Sequence, residues 1–157
     1  MKRLRIYLDT SVIGGCLDVE FALESNRLIK DIKQQKITML LSELVINELI
    51  DAPSAVQDIL KSIPPTTIEV INLTEEIIQL RDAYIQAGVV SQKSLNDAGH
   101  VAAATVARAD AIVSWNFKHI VRLDKMKAYN QINLLNGYGI LTIVSPKEVI
   151  LDESNKG

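Results

Sequence analysis

The chain has 157 residues and a formal net charge of −2, with 48% hydrophobic and 23% charged residues. These proportions are typical of one globular domain large enough to bury a core. The weak negative charge argues against a protein that grips nucleic acid with its whole surface, although a local basic patch is compatible with it. The single cysteine, Cys16, excludes an intramolecular disulfide and fits a reducing compartment.

The sequence also bears on location and domain count. No apolar run approaches the roughly 20 residues that span a bilayer, so we expect no membrane segment. The first residues include basic side chains, but the apolar stretch that follows is too short for a signal peptide. We therefore expect a cytoplasmic protein in which residues 1–150 form one domain and residues 151–157 are a frayed tail.

Short apolar runs rich in Ile, Leu and Val alternate along the chain with helical patterns. This alternation predicts an α/β fold, with helices on both faces of a mostly parallel central sheet of about five strands. The predicted strands are Leu4–Leu8, Ile37–Leu41, Ile68–Leu73, Ala111–Ser114 and Leu141–Val144.

Capping residues and helix breakers delimit the predicted helices. These are Val19–Gln34, Glu43–Ile50, Pro53–Ser62, Glu75–Ala87 and Asp97–Ala109. Ser42 and Thr74 are predicted N-caps, and the segment SPKE at 145–148 predicts a capping box with proline at the first helical position. The glycine pair 14–15, in the opening stretch RIYLDTSVIGG, predicts a turn.

Four polar residues fall where a parallel sheet brings its strand ends together. Asp9 directly follows the first strand, and Asn116 follows the fourth. Glu48 lies in the second turn of the helix after strand two, and Asp97 opens the alanine-rich helix. Because ligands of open α/β folds bind along the carboxyl edge of the strands, we expect these side chains to converge there.

Each residue also has a simpler structural explanation. Asp9 can start a turn, although burying a lone carboxylate beside an apolar strand would be costly. Asp97 stands at capping-box spacing from Ser94, and Glu48 lies at the margin of the apolar face of its helix, where it can be solvated. His100, one turn after Asp97, is more often a packed histidine than a ligand.

Carboxylates held close together repel one another unless protons or a cation offset their charge. Three acids without a Cys or multi-His ligand set favour Mg²⁺ or Mn²⁺ over zinc. The side-chain carbonyl of Asn116 can add a neutral oxygen ligand. Such an ion lowers the pKa of a bound water and neutralises phosphate charge, so the pattern predicts metal-dependent phosphodiester hydrolysis.

From about Leu4 to Ile150 the sequence resembles the PIN domain superfamily and, within it, the VapC-type toxins of type II toxin–antitoxin modules. The resemblance rests on four segments and their order: YLDTSV, SELVINELIDAP, NDAGHVAAATVARADAIVSWNFKHIV and ILTIVSPKEVI. It implies a Rossmann-like α/β/α fold, Mg²⁺- or Mn²⁺-dependent endoribonuclease activity and a cognate antitoxin. It also implies a homodimer, for which exposed aliphatic residues on the helix Glu75–Ala87 are a candidate surface.

The acidic motif of this family carries over onto Asp9, Glu48 and Asp97. The fourth position, commonly Asp in the family, is Asn116 here. One fewer negative charge should weaken metal binding, above all at any second ion. Ser11 resembles a small hydroxyl residue that supports the site in the family, although a turn hydroxyl explains it equally well.

A basic cluster follows Asn116 and can contact RNA phosphates. It comprises Lys118, His119, Arg122, Lys125 and Lys127. Trp115 and Phe117 can stack on bases, although a solvated basic face and core aromatics are the commoner explanation. Asp110 precedes its strand and is therefore expected at the opposite edge of the sheet.

Two other functions are open. A PIN-fold protein that no longer cuts, and acts only as a protein- or RNA-binding partner, is compatible with Asn116 and the modest net charge. A phosphatase of the haloacid dehalogenase type would also have an aspartate after its first strand. That chemistry needs a second aspartate two residues later, where this chain has Ser11.

Overall fold

The computed structural model describes residues 3–151 of the chain. Its five strands form one parallel sheet in the order β3-β2-β1-β4-β5. They are β1 Leu4–Leu8, β2 Ile37–Ser42, β3 Ile68–Ile71, β4 Ala111–Val113 and β5 Ile143–Val144. Each predicted strand is present, which confirms the α/β fold and the parallel sheet.

Within residues 3–151, seven α-helices flank the sheet. They are α1 Thr10–Gly15, α2 Ala22–Lys33, α3 Glu43–Leu49, α4 Ser54–Lys61, α5 Glu75–Gln86, α6 Leu95–Val106 and α7 Leu123–Leu135. Consecutive strand residues such as Tyr7 and Leu8 are both fully buried. Because neighbouring side chains of a strand point to opposite faces, both faces of the sheet are covered. No helix in this part of the chain is long and apolar enough to cross a membrane.

Two helices were not expected from the sequence. The predicted glycine turn is wrong, because Thr10–Gly15 forms helix α1. A β-carbon at Gly15 would lie 2.7 Å from Oγ of Ser25 and 2.8 Å from Nε1 of Trp115, so the glycine permits close packing rather than a turn. Helix α7 occupies the segment that the sequence suggested only as a basic cluster.

The predicted caps are mostly confirmed. Ser42 accepts a hydrogen bond at the start of α3, Thr74 does so at the start of α5, and the Ser145–Glu148 capping box is present on a short 3₁₀ turn. The simpler explanation of Asp97, a capping box with Ser94, does not hold, since the Ser94 side chain makes no capping hydrogen bond. Asp97 is turned toward Asn116 instead.

The predicted dimer surface on helix α5 does not carry the exposed aliphatic residues that the sequence suggested. Helix α5 packs against α6 and α7 and buries Ile77, Leu80 and Tyr84. Among the residues that the structure describes, the exposed large hydrophobic side chains include none from α5. The predicted tail lies outside the described residues except for Leu151, which packs against the core.

The strand order reverses between β1 and β4, which lie side by side at the centre of the sheet. Crevices at such reversals, outside the carboxyl ends of the strands, are where α/β folds bind ligands. Asp9 follows β1 directly and Ser114 follows β4 directly, so both stand at this crevice. Asp110 precedes β4, and its Oδ2 accepts a hydrogen bond of 2.7 Å from the backbone N–H of Arg5, at the opposite edge as expected.

Candidate functional site

Asp9 is a buried carboxylate held by two hydroxyl groups. The residue is only 4% exposed. Oδ1 accepts a hydrogen bond of 2.6 Å from Ser11, and Oδ2 accepts one of 2.5 Å from Ser114. Burial raises the pKa of Asp9, while the charge of His100 and the two hydroxyls oppose that rise.

The backbone after β4 fixes the two serines. The N–H of Trp115 donates to Oγ of Ser11 over 2.9 Å, and the N–H of Asn116 donates to Oγ of Ser114 over 2.9 Å. Each hydroxyl therefore accepts from the backbone and donates to Asp9. This arrangement gives the aspartate a defined orientation between β1 and β4.

Glu48 lies at the edge of the same region. Its side chain is 35% exposed, yet Oε1 accepts a hydrogen bond of 3.1 Å from Oγ1 of Thr10 and lies 2.5 Å from Nε2 of His100. Burial raises the pKa of Glu48, but the hydrogen bonds from His100 and Thr10 and the charge of His100 outweigh it, so this pKa lies below its ordinary value. One oxygen of the carboxylate, Oε1, thus faces the protein, while the side chain as a whole is partly exposed.

His100 belongs to a buried chain of polar groups. The residue is 3% exposed, and its Nδ1 lies 2.7 Å from Oη of Tyr7. That hydroxyl in turn lies 2.6 Å from Oγ of Ser42. Burial raises the pKa of Tyr7, so its hydroxyl keeps its proton. The chain runs from the N-cap of α3 to Glu48 on the same helix.

Asn116 links the loop after β4 to helix α6. Its Oδ1 accepts hydrogen bonds from the backbone N–H of Lys118, over 3.1 Å, and of His119, over 2.8 Å. Its amide nitrogen is left to donate toward Asp97, and this interaction lowers the pKa of Asp97. The amide therefore positions Asp97 as a donor, which an aspartate at this place could not do when ionised.

Asp97 is half-buried and feels the charges of the other site residues. Burial raises its pKa, the charges of His119 and His100 and the hydrogen bond from Asn116 lower it, and the charge of Glu48 raises it. When protonated, His100 lowers the pKa of Asp9, Glu48 and Asp97 alike. The structure thus places all four residues that the sequence singled out near His100, for which the sequence favoured simple packing.

The donor atoms suit a hard divalent cation in kind, because they are carboxylate and amide oxygens. Within residues 3–151, however, no three Asp, Glu, His or Cys side chains stand close enough together to hold a metal ion between them. Mg²⁺ keeps several of its waters and commonly binds through one or two carboxylates, so a closed three-residue cage is not required. The residues fit an ion held by few direct ligands and by waters.

The basic side chains near the site differ in exposure and in the partners that already occupy their charged groups. Arg122 is exposed and pairs with Asp124 through contacts of 2.6 and 2.7 Å. The ammonium group of Lys125 donates to the carbonyl oxygen of Val89 over 2.6 Å. Lys118 and Lys127 are exposed. Lys118, which is exposed and follows Asn116 by two residues, is therefore better placed to contact a phosphate than Arg122, which is paired with Asp124.

The two aromatic residues beside Asn116 have different surroundings. Trp115 is buried, stacks on Phe21 with ring centroids 4.3 Å apart and donates from Nε1 to Oγ of Ser25 over 2.8 Å. It belongs to the core, as the simpler explanation held. Phe117 is 47% exposed and is the aromatic side chain open to solvent here.

Sequence reasoning missed four hydroxyl groups: those of Thr10 and Ser114, which contact the acids, and those of Tyr7 and Ser42, which lie behind His100. A signal was available for two of them. A tyrosine in a fully buried strand must find a partner for its hydroxyl, and a serine directly after β4 mirrors the position of Asp9 after β1. The pairing of Tyr7 with His100 depends on strand-to-helix packing and has no local signature.

No protein-family model matches the sequence, and no curated protein matches it either. Among solved structures, the fold is similar to that of VapBC2 from Rickettsia felis bound to a DNA fragment from its promoter. That match has a TM-score of 0.55 and 16% identity, and covers 90% of this chain and 98% of that one. A second match, FitAB bound to an IR36 DNA fragment, has a TM-score of 0.58 and 13% identity and covers 94% of this chain and 99% of that one.

Likeness at these identities concerns the fold. Both matches extend over at least 90% of this chain. They agree with the parallel five-stranded sheet and its helical layers. The chain therefore has a PIN-like α/β fold, as its resemblance to VapC-type proteins predicted.

Proposed function

We propose that the chain is a Mg²⁺- or Mn²⁺-dependent endoribonuclease and the toxin of a type II toxin–antitoxin pair. One observation carries the proposal: Oε1 of Glu48 contacts both Thr10, the residue after Asp9, and His100, which lies one turn after Asp97, beside the strand-order reversal of a PIN-like fold. VapBC2 and FitAB, which share the fold, were solved as complexes bound to DNA. By analogy we propose an antitoxin partner, a homodimer and a cytoplasmic location.

The residues of the chain would have two roles at this site, binding the ion and orienting its ligands. A divalent ion supplies a water of lowered pKa and offsets the charge of the scissile phosphate when it is bound. Asp9 and Asp97 would offer ligand oxygens, directly or through waters, while Ser11, Ser114 and Asn116 keep them oriented. Asp97 and Asp9 also carry pKa values raised by burial, which favours binding of a cation that offsets their charge.

Substrate would be held from the rim of the site. Lys118 follows Asn116 by two residues and is exposed, so it can approach a phosphate of an RNA strand. Phe117, also exposed, can stack on a base. Cleavage should therefore weaken as the salt concentration rises, since phosphate contacts release counterions.

The test is cleavage of single-stranded RNA in the presence of Mn²⁺ by the wild type, Asp9→Asn and Asp110→Asn. Asp110 is a matched control, because it carries the same side chain at the opposite edge of the same sheet. We expect the wild type and Asp110→Asn to cut and Asp9→Asn to lose activity. Equal cleavage by all three proteins would remove Asp9 from the mechanism.

A second candidate is a PIN-fold protein that binds a partner without cutting. Two observations favour it: an asparagine stands at the fourth acidic position, and no three ligand side chains in residues 3–151 are close enough to hold an ion. A protein of this kind would give no heat on titration with millimolar Mn²⁺ and would still bind its partner.

A further inference from the structure

Both hydrogen bonds to Glu48 fall on the same oxygen. Thr10 donates from Oγ1 and His100 contacts through Nε2, and both meet Oε1. In the part of the chain that the structure describes, Oε2 has no hydrogen-bond partner. Glu48 is therefore fixed by one oxygen while the other stays available to a ligand.

With Glu48 ionised and the imidazole of His100 neutral, counting protons along the buried chain assigns a direction to every hydrogen bond. The ionised carboxylate of Glu48 has no proton, so His100 must donate from Nε2. In a neutral imidazole Nδ1 is then an acceptor, and the hydroxyl of Tyr7 must donate to it. Oη of Tyr7 accepts in turn from Ser42, whose Oγ also accepts the backbone N–H of Val45 over 3.3 Å.

This assignment uses each hydroxyl and imidazole proton once and leaves none of these groups without a partner. The alternative tautomer would place a proton between His100 and Tyr7 and leave two acceptors facing each other at Glu48, across 2.5 Å. An unpaired contact of that kind in a buried site is strongly unfavourable. The polar chain therefore selects one tautomer of His100.

We propose that His100 is a positioning residue for Glu48: Ser42 and Tyr7 hold its imidazole in the Nε2–H tautomer, and it fixes Oε1 so that Oε2 serves as the ligand oxygen for a hard divalent cation or one of its waters. The inference rests on the proposed function, because it assigns the cation to the same site.

The contrast in burial explains why Glu48 needs such support. Its side chain is 35% exposed on a helix of seven residues, and a long exposed side chain samples several rotamers. Tyr7 and His100 are 0% and 3% exposed and have little freedom to move. Partners that orient a metal ligand from behind contribute about 10- to 100-fold to metal affinity in known sites.

The tautomer can be read directly by long-range ¹H–¹⁵N correlation spectroscopy, since the chain has only two histidines. The variant His119→Gln leaves one imidazole and assigns the signals of His100. We expect a protonated Nε2 and an unprotonated Nδ1 in the metal-free wild type, and a mixture of tautomers in Tyr7→Phe. A wild type with Nδ1–H, or a Tyr7→Phe variant with an unchanged tautomer, would overturn the proposal.

The link to the cation is tested by calorimetric titration of Mn²⁺ into Tyr7→Phe and Tyr84→Phe. Tyr84 is a matched control, because it is also fully buried and its hydroxyl is hydrogen-bonded, to Asn133. We expect both variants to lose thermal stability and only Tyr7→Phe to weaken Mn²⁺ binding, by about 10-fold or more. Equal affinities in the two variants would refute the positioning role.

The two experiments separate this inference from the function on which it rests. If the wild type bound no Mn²⁺, the proposed metal-dependent activity and the ligand role of Oε2 would both fail. If the wild type bound Mn²⁺ and the two variants Tyr7→Phe and Tyr84→Phe had equal Mn²⁺ affinities, the metal site would be supported and only the positioning role would be refuted.

Discussion

Oγ of Ser114 donates a hydrogen bond of 2.5 Å to Oδ2 of Asp9 and so joins the carboxyl ends of β4 and β1, where the order of the sheet reverses. The Asp9 side chain accepts hydrogen bonds from the neutral hydroxyls of Ser11 and Ser114, and a backbone hydrogen bond from Val12 also favours its ionised form. Keeping a buried carboxylate ionised in these surroundings costs free energy, and a cation at the crevice would offset that cost.

The first prediction concerns Asp9→Asn and pH. Burial raises the pKa of Asp9 in the folded protein above its value in the unfolded chain, so folding favours the protonated form. The contribution of Asp9 to stability is greatest below the unfolded pKa and is lost as pH rises through the folded pKa. Asparagine does not titrate.

Asp9→Asn should therefore be more stable than the wild type at neutral pH, and the difference should shrink in acid. Thermal unfolding without metal, measured at several pH values, gives this difference. A variant that is less stable than the wild type at neutral pH would contradict the burial cost assigned to Asp9.

The second prediction separates the local role of Ser114 from a general loss of a buried hydroxyl. Ser114→Ala removes the donor to Asp9 and the acceptor for the N–H of Asn116, and should cost about 1–3 kcal/mol. Ser25→Ala removes another buried hydroxyl, which accepts from Nε1 of Trp115. Both should lower the melting temperature, whereas only Ser114→Ala should weaken Mn²⁺ binding in calorimetry. Equal Mn²⁺ affinities would argue against a role for Ser114 at the site.

The third prediction tests the departure at the fourth acidic position. Asn116→Asp replaces the donor to Asp97 by a second carboxylate, so repulsion should destabilise the metal-free protein by on the order of 1 kcal/mol. The added charge should also strengthen cation binding. Thermal unfolding with and without saturating Mn²⁺ should therefore show a larger metal-induced rise in Tm for Asn116→Asp than for the wild type. An identical rise would show that this position does not act on the ion.

The fourth prediction concerns the packing of helix α1. Gly15→Ala places a methyl group within 3 Å of Ser25 and Trp115 side chains and should destabilise the fold by about 1–3 kcal/mol. Gly14→Ala is the matched control, because a β-carbon there meets nothing within 4 Å. In a helix that change should stabilise by about 0.5–1 kcal/mol. Melting temperatures that move together would contradict the close approach of α1 to Trp115.

The parallel sheet could be predicted because its strands are apolar on both faces and stand out as short runs of Ile, Leu and Val. Helix α7 could not, because its apolar residues do not share one face: Leu134 and Leu135 are exposed while Asn133 is buried. Helix α1 was missed because two glycines, which usually mark turns, serve here in close packing.

The position of the four named residues at one edge of the sheet was predictable, since each follows a strand or lies in the first two turns of a helix at that edge. Their supporting partners were less so. Ser94 and Asp97 have the spacing of a capping box, yet the serine does not cap and the aspartate turns to Asn116. The contact between Tyr7 and His100 joins residues 93 positions apart, and only the packing of α6 on the sheet creates it.

Paramagnetic broadening of amide signals by substoichiometric Mn²⁺ tests most directly whether these acids form one cation site. We expect the earliest losses of signal at Thr10, Trp115 and Asp97, which belong to different elements at the carboxyl edge. The amides of Asp110 and Gly137, away from that edge, should stay sharp. Broadening centred on those two residues, or none at millimolar Mn²⁺, would contradict the account.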